Sequence, residues 1–188
     1  MGWAEETEEE VAWRTPSGIF VIVVIRGAAG DRIRELQKRY DPKLAATNPP
    51  HLTLIGSSGV GPIVPSVSTE EIRRLAEPIA ASTSPVELTF GAPVRFMQTN
   101  IVVLPLPPHG VLRTLHDRLA RSGLPLGTAK HAFTPHATLT FFRTLPRDEL
   151  RELLATRVTE PLIVDHLLFS LTDDPNPTRD LFELPLGG

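Results

Sequence analysis

Two short stretches decide how this chain is read: Pro49-Pro50-His51-Leu52-Thr53-Leu54 and Phe133-Thr134-Pro135-His136-Ala137-Thr138-Leu139. Each runs proline, histidine, apolar residue, threonine, leucine, and the two histidines lie 85 positions apart. Both sit among apolar, β-prone residues, so each tetrapeptide reads as a strand. Alternate side chains of a strand share a face. His51 and Thr53 therefore point one way, as do His136 and Thr138, while Leu52, Leu54, Ala137 and Leu139 anchor them from behind. Two such copies facing one another supply two imidazoles and two hydroxyls to a single cleft. That set of groups suits acid–base chemistry on a phosphate.

Working outward, the same order of elements occurs twice. Ile19 to Ile25 is a continuous apolar run and reads as a central strand. A helix over 31–41 follows, with Ile33, Leu36 and Tyr40 at helical spacing, Asp31 at its start and Asp41-Pro42 at its end. The first motif strand spans about 51–56 and leads into a glycine-rich loop. Ser68-Thr69-Glu70-Glu71 is a capping box that opens a helix to about residue 82, with Pro78 as a kink. A strand over 85–96, interrupted at Gly91-Ala92-Pro93, closes the first half. In the second half a strand runs from Asn100 to Leu106, and a helix over 109–122 is capped by Gly123. The second motif strand covers about 135–142, a helix covers 147–156 behind Pro146, and a strand covers 161–171. The turn Asp173-Asp174-Pro175-Asn176-Pro177 and a last strand at 181–185 end the order. Offsets of 82 for Ile19 to Ile101, 85 for the histidines and 78 for Thr69 to Arg147 indicate an internal duplication.

The expected fold is α+β, with two pseudo-symmetric lobes about a central groove, each an antiparallel sheet with flanking helices. Residues 1–17 read as an acidic tail, with Trp3 and Trp13 able to dock on the body. Residues 18–186 read as one bilobal domain, with repeats at about 18–96 and 99–186 that exchange strands.

Composition excludes several function classes. The chain has no cysteine, which rules out disulfides, thiolate catalysis and cysteine-based metal centres. No apolar run approaches a membrane span, and Glu5, Glu6, Glu8, Glu9 and Glu10 give the N-terminus the wrong sign for a signal peptide, so a cytoplasmic location is expected. The net charge is −3, but without residues 1–15 there are 18 basic against 17 acidic residues. That near-neutral body argues against a broad duplex-gripping surface and leaves room for a pocket that takes one or two nucleotides. His-Glu-x-x-His, Gly-x-x-x-x-Gly-Lys and Gly-x-Ser-x-Gly are all absent, so zinc, ATP and a serine nucleophile have no support.

The paired motifs, with the proline before each histidine, resemble the 2H phosphoesterase superfamily over roughly residues 18–186. They are most similar to its bacterial LigT-like branch, known as 2'-5' RNA ligase or RNA 2',3'-cyclic phosphodiesterase. The resemblance implies a metal-free, cofactor-free enzyme that opens a 2',3'-cyclic phosphate to a 2'-phosphate, with some reverse 2'-5' RNA ligase activity. His51 would be the general acid at the leaving 3'-oxygen and His136 the general base toward water, with Thr53 and Thr138 donating to the phosphoryl oxygens. The partner is then an RNA 3' end or a small cyclic nucleotide, with no membrane and no obligate protein partner, and the chain is expected to be a monomer. Candidate further substrate contacts are Lys130, His131, Phe133, Phe142 and Arg143, with core packing the competing role for the two phenylalanines. His109, His116 and His166 have no motif around them and read as structural or exposed. The competing functions are a non-catalytic module for nucleotides or RNA ends, and the same chemistry on an ADP-ribose cyclic phosphate or a 2'-5' linked oligonucleotide.

Overall fold

In a computed structural model, residues 17–173 and 176–187 are described. The acidic lead-in with Trp3 and Trp13, and Asp174-Pro175 of the predicted turn, lie outside the described residues. In order the elements are β1 Gly18–Val24, α1 Gly27–Tyr40, α2 Pro42–Thr47, β2 His51–Ile55, α3 Thr69–Ala81, β3 Val86–Leu88, β4 Val94–Arg95 and β5 Val102–Pro105. There follow α4 Val111–Ala120, β6 His136–Thr140, α5 Arg147–Ala155, β7 Leu162–Val164, β8 His166–Asp173 and β9 Asn176–Pro185. None of the described helices is long and apolar enough to cross a membrane.

The fold is α+β and every strand pair is antiparallel. Seven strands form one sheet in the order β4-β5-β6-β2-β1-β8-β9, and β3 pairs with β7 in a second sheet. The large sheet is built about the junction of β6 and β2. On one side Val24, Val23 and Ile22 pair with His51, Leu52 and Thr53; on the other Pro105, Leu104 and Val103 pair with His136, Ala137 and Thr138. The register slips once on each side, at Val21/Ile22 and at Val102/Val103, which are equivalent positions. The halves exchange their closing strands. β4 ends the first half and pairs with β5 of the second, while β8, followed only by β9 in the second half, pairs with β1 of the first.

The helices cross over in the same way. α1 packs on β6, and α4 packs on β2. Ile33, Leu36 and Tyr40 of α1 and Leu112, Leu115 and Leu119 of α4 are buried at matching positions, against the apolar backs of the motif strands. One polar residue stands in each apolar stripe. Gln37 donates to the Thr138 carbonyl at 2.9 Å, and His116 Nδ1 lies 2.7 Å from the Leu54 carbonyl. Each half's helix is therefore bonded to the other half's motif strand.

Several boundaries differ from the sequence expectation. α1 starts at Gly27, not near Asp31, with Arg26 as its N-cap residue. Gly27 has φ +63°, and a Cβ on Gly30 would lie 2.1 Å from the Ile25 carbonyl oxygen, so glycines let the helix turn tightly off β1. The expected strand 85–96 is two short strands in different sheets, because Gly91 donates to the Pro105 carbonyl and Pro93 cannot extend a ladder. The strand 161–171 divides in the same way between β7 and β8. β9 begins at Asn176, earlier than 181, since its exposed polar start carries no alternating pattern. Helix α3 runs on through Pro78 to Ala81, with Ser68 accepting from the Glu71 N–H at 3.2 Å.

Asp41 does more than end α1. Its carboxylate is buried, and accepts the Leu44 N–H at 3.1 Å to open α2 and the Phe141 and Phe142 N–H groups at 2.7 and 2.8 Å beyond β6. Asp41→Ala leaves those donors unmatched and is expected to cost about 2–4 kcal/mol. A urea titration measures this, and an unchanged midpoint would deny Asp41 that role.

Candidate active site

β2 and β6 meet at Leu52 opposite Ala137. Continued one residue either way, that antiparallel register sets His51 opposite Thr138 and Thr53 opposite His136. Directly opposed Cβ atoms in such a ladder lie about 4.5–5.5 Å apart. All four side chains are half-buried, whereas Leu52, Leu54, Ala137 and Leu139 between them have no exposed surface. Two imidazoles and two hydroxyls thus alternate around a small quadrangle on the open face of the sheet.

The proline before each histidine has a geometric role. The residue ahead of a proline is held extended, and the carbonyls of Pro49 and Thr134 turn back to the rings. His51 Nδ1 is 2.8 Å from the Pro49 carbonyl, and His136 Nδ1 is 2.7 Å from the Thr134 carbonyl. A carbonyl only accepts, so in both rings Nδ1 carries the hydrogen and Nε2 is left to give or take a proton. The proline carbonyls are tied down as well, since the Ile25 N–H donates to Pro50 at 2.8 Å and the Leu106 N–H to Pro135 at 3.0 Å.

Burial holds both imidazoles below the usual histidine pKa, only partly offset by the bond to the carbonyl; His136 is lowered further by the charge of His51. At neutral pH the lowered values favour two neutral rings, and a proton on His51 disfavours one on His136.

The loop that follows β2 is joined to the loop that leads into β6. Gly59 donates to the His131 carbonyl at 2.8 Å, Gly61 to that of Gly127 at 2.8 Å, and Ser58 Oγ accepts the Thr134 N–H at 3.1 Å. Gly59 has φ +75°, and a Cβ there would lie 2.3 Å from His116 Nε2. Only glycine lets this loop pass over that buried ring.

The remaining sequence candidates divide. Lys130 and His131 are exposed on the joined loops. Phe133 is buried, stacked on His116 with ring centroids 4.1 Å apart, so packing claims it and it is not open to a substrate. Arg143 is likewise engaged elsewhere, donating to the Tyr40 carbonyl and pairing with Glu149 at 2.9 Å, because its backbone leaves β6 toward α1 and α5. Phe142 is exposed, with Lys43 Nζ 4.3 Å from its ring centroid. His109 is exposed, and His116 and His166 are buried in structural bonds.

One neighbour escaped sequence reading. The ring of Phe96 meets that of His136 at 5.1 Å, with planes at 86°. Phe96 lies 40 positions from His136, follows a two-residue strand and belongs to no motif, so nothing local marks it. A cavity of about 590 Å³ beside α3 and α4 and another of about 390 Å³ beside Arg39 and Glu149 do not include the histidines. Among the described residues no group of three or more His, Asp or Glu side chains converges as a metal site.

A protein of Oceanobacillus iheyensis named as a phosphoesterase is 31% identical over 125 residues, which is 66% of this chain and 69% of the relative. One from Geobacillus kaustophilus, similarly named, is 33% identical over 127 residues, 65% of this chain and 67% of the relative. Escherichia coli LigT without ligand superposes over 92% of this chain and 98% of its own, at TM-score 0.57 and 20% identity, and has also been crystallised with 3'-AMP. The protein TT0787 of Thermus thermophilus superposes over 90% of this chain and 98% of its own, at TM-score 0.61 and 18% identity. These structures share the fold. The family model of the 2'-5' RNA ligase superfamily matches residues 26–175, a span that holds both histidine motifs and both helices that brace them, and the chain belongs to that superfamily, the 2H phosphoesterases.

Proposed function

We propose that this chain is a phosphodiesterase that hydrolyses 2',3'-cyclic phosphates on RNA ends or nucleotides to 2'-phosphates. The observation that carries the reading is the pair of histidines on adjacent strands, each with Nδ1 anchored to a carbonyl and Nε2 free. In-line opening of a cyclic diester needs a base behind phosphorus and an acid at the departing oxygen, and two imidazoles supply both near neutral pH. Phosphate and 3'-AMP complexes of Escherichia coli LigT support a nucleotide phosphate as the ligand.

In the proposed reaction His136 Nε2 takes a proton from water as its oxygen attacks phosphorus. The bond from phosphorus to the 3'-oxygen breaks, and His51 Nε2 delivers its proton to that oxygen. One water is added and the two rings exchange protonation states. The direction of this assignment comes from the family resemblance, since the motifs themselves are symmetric. Thr53 and Thr138, opposite the two rings, donate to the non-bridging oxygens as charge builds there. With a ribose 5'-hydroxyl in place of water, the same exchange joins two ends through a 2'-5' linkage: His136 takes the hydroxyl proton, the bond from phosphorus to the 3'-oxygen breaks, and His51 protonates that oxygen.

A short RNA ending in a 2',3'-cyclic phosphate, followed by mass spectrometry in EDTA, tests the reading. Wild type should gain one water. His51→Ala and His136→Ala should each lower kcat by about 10²–10⁴-fold, and Thr53→Val or Thr138→Val by about 10²-fold. Chelator-sensitive turnover, or an active double histidine variant, would defeat the proposal; a 3'-phosphate product would reverse the two roles. Ligand binding without turnover by wild type would leave a binding module instead.

The lowered histidine pKa values also set a pH dependence. The working form has one ring charged and one neutral, so kcat/KM should form a bell with its maximum on the acid side of about pH 6.5. Stability follows the same sign. As pH falls below about 6.5 the unfolded chain protonates both rings before the folded chain does, so stability drops until the folded values are passed. Urea midpoints should decline between pH 7 and 5, and decline less in a His51→Asn, His136→Asn double variant; an equal decline would deny the buried rings this contribution.

A further inference from the structure

The groove is symmetric in its four reacting groups and asymmetric in its walls. On the open face of the sheet, lateral neighbours across the strands run Thr53, Ile22, Leu168 on the His51 side and Thr138, Val103, Val94 on the His136 side. On the first side the wall is closed on itself. Phe20, Ile22 and Leu168 form a compact cluster with Val24, each of the three under 10% exposed, and Gly56 lies directly against the Phe20 ring.

On the second side Val103 is fully buried, and the wall stands open beyond it. Val94 occupies the position of Leu168, yet is 42% exposed. Phe96, two residues on and so on the same face, is partly exposed and reaches the His136 ring, while Met97 beside it is 87% exposed. β4 is the edge strand, so nothing in the sheet covers this wall beyond it. The turn that carries Phe96 and Met97 is held by the Thr99 N–H to the Phe96 carbonyl and contains Gln98 at φ +62°. An uncompensated apolar surface with a left-handed non-glycine residue at its tip is the kind of local cost that functional surfaces retain.

We propose that Phe96, with Val94 and Met97, forms a shelf for the nucleobase of the substrate, so that the nucleoside lies on the His136 side of the groove. The proposal rests on the nucleotide-phosphate reading above and adds to it a binding surface and an orientation. The occupant is an aromatic heterocycle because the shelf is apolar, aromatic and continuous with the phosphate site through the Phe96–His136 contact. Aromatic side chains stack bases without regard to sequence, so the shelf selects nucleotides over other phosphates without choosing among bases.

Binding of product-like ligands by calorimetry tests this apart from turnover. Adenosine 2'-monophosphate is compared with inorganic phosphate, and the ratio of their affinities is the readout. Wild type should favour the nucleotide by about tenfold or more. Phe96→Leu, which keeps an apolar side chain beside His136, should remove most of that ratio, and Phe96→Trp should retain it. Met97→Ser, at a position too exposed to threaten folding, should lower the ratio several-fold. Equal weakening of both ligands by Phe96→Leu would make Phe96 a brace for His136 and overturn the shelf. So would a wild-type ratio near one, or a ratio that collapses in Phe142→Leu and not in Phe96→Leu. A protein that binds neither ligand would overturn the nucleotide-phosphate reading itself, and the shelf with it.

Discussion

The pairing of β2 with β6 is the interaction on which the rest depends. Its ladder is fixed at Leu52 opposite Ala137, and that one register joins strands 85 positions apart and sets two histidines and two threonines side by side on one face of the sheet. A shift of one residue would turn a motif's imidazole into the core and its leucine toward solvent. The apolar residues at Leu52, Leu54, Ala137 and Leu139 forbid that shift, because each would lose complete burial. Register at the site is therefore specified by hydrophobic burial on the opposite face.

So short a ladder needs bracing, and the halves brace each other. α1 grips β6 through Gln37 and Asp41, while α4 grips β2 through His116. Bonds to buried backbone groups stabilise most where water cannot compete, and leave the largest deficit when broken. One such deficit is present, since Gln37 Oε1 is buried among the described residues without a partner. The crossing of helices and closing strands makes the two halves mutually dependent. Neither half alone would cover its own motif strand.

Much of this was legible in the sequence. The motif pair, the face that each side chain takes and the order of the elements all follow from period-two and helical spacing, which are local properties. α3, α4 and α5 fall within a residue or two of their predicted ends because a capping box at Ser68, Gly123 and Pro146 mark them in turn. Phe133 and Arg143 show where local reading stops. Both are adjacent to the second motif, as a substrate contact should be, yet one stacks on a histidine from another element and the other pairs with a helix further along. The early start of α1 was hidden for a related reason. Gly27 to Gly30 look like a loop until the strand they pack against is in place.

The sequence by itself determined the two chemical groups, the prolines ahead of them and the α+β class, because these depend on residues within a few positions of each other. Only the tertiary structure decided that the halves share one sheet, that their helices cross, and that one wall of the groove is closed while the other is open. Those features arise from contacts between residues 40 to over 140 positions apart, such as Phe96 with His136 and Val24 with His166. Strand pairing and burial select such contacts from the whole folded chain, and no local pattern records which partner was chosen.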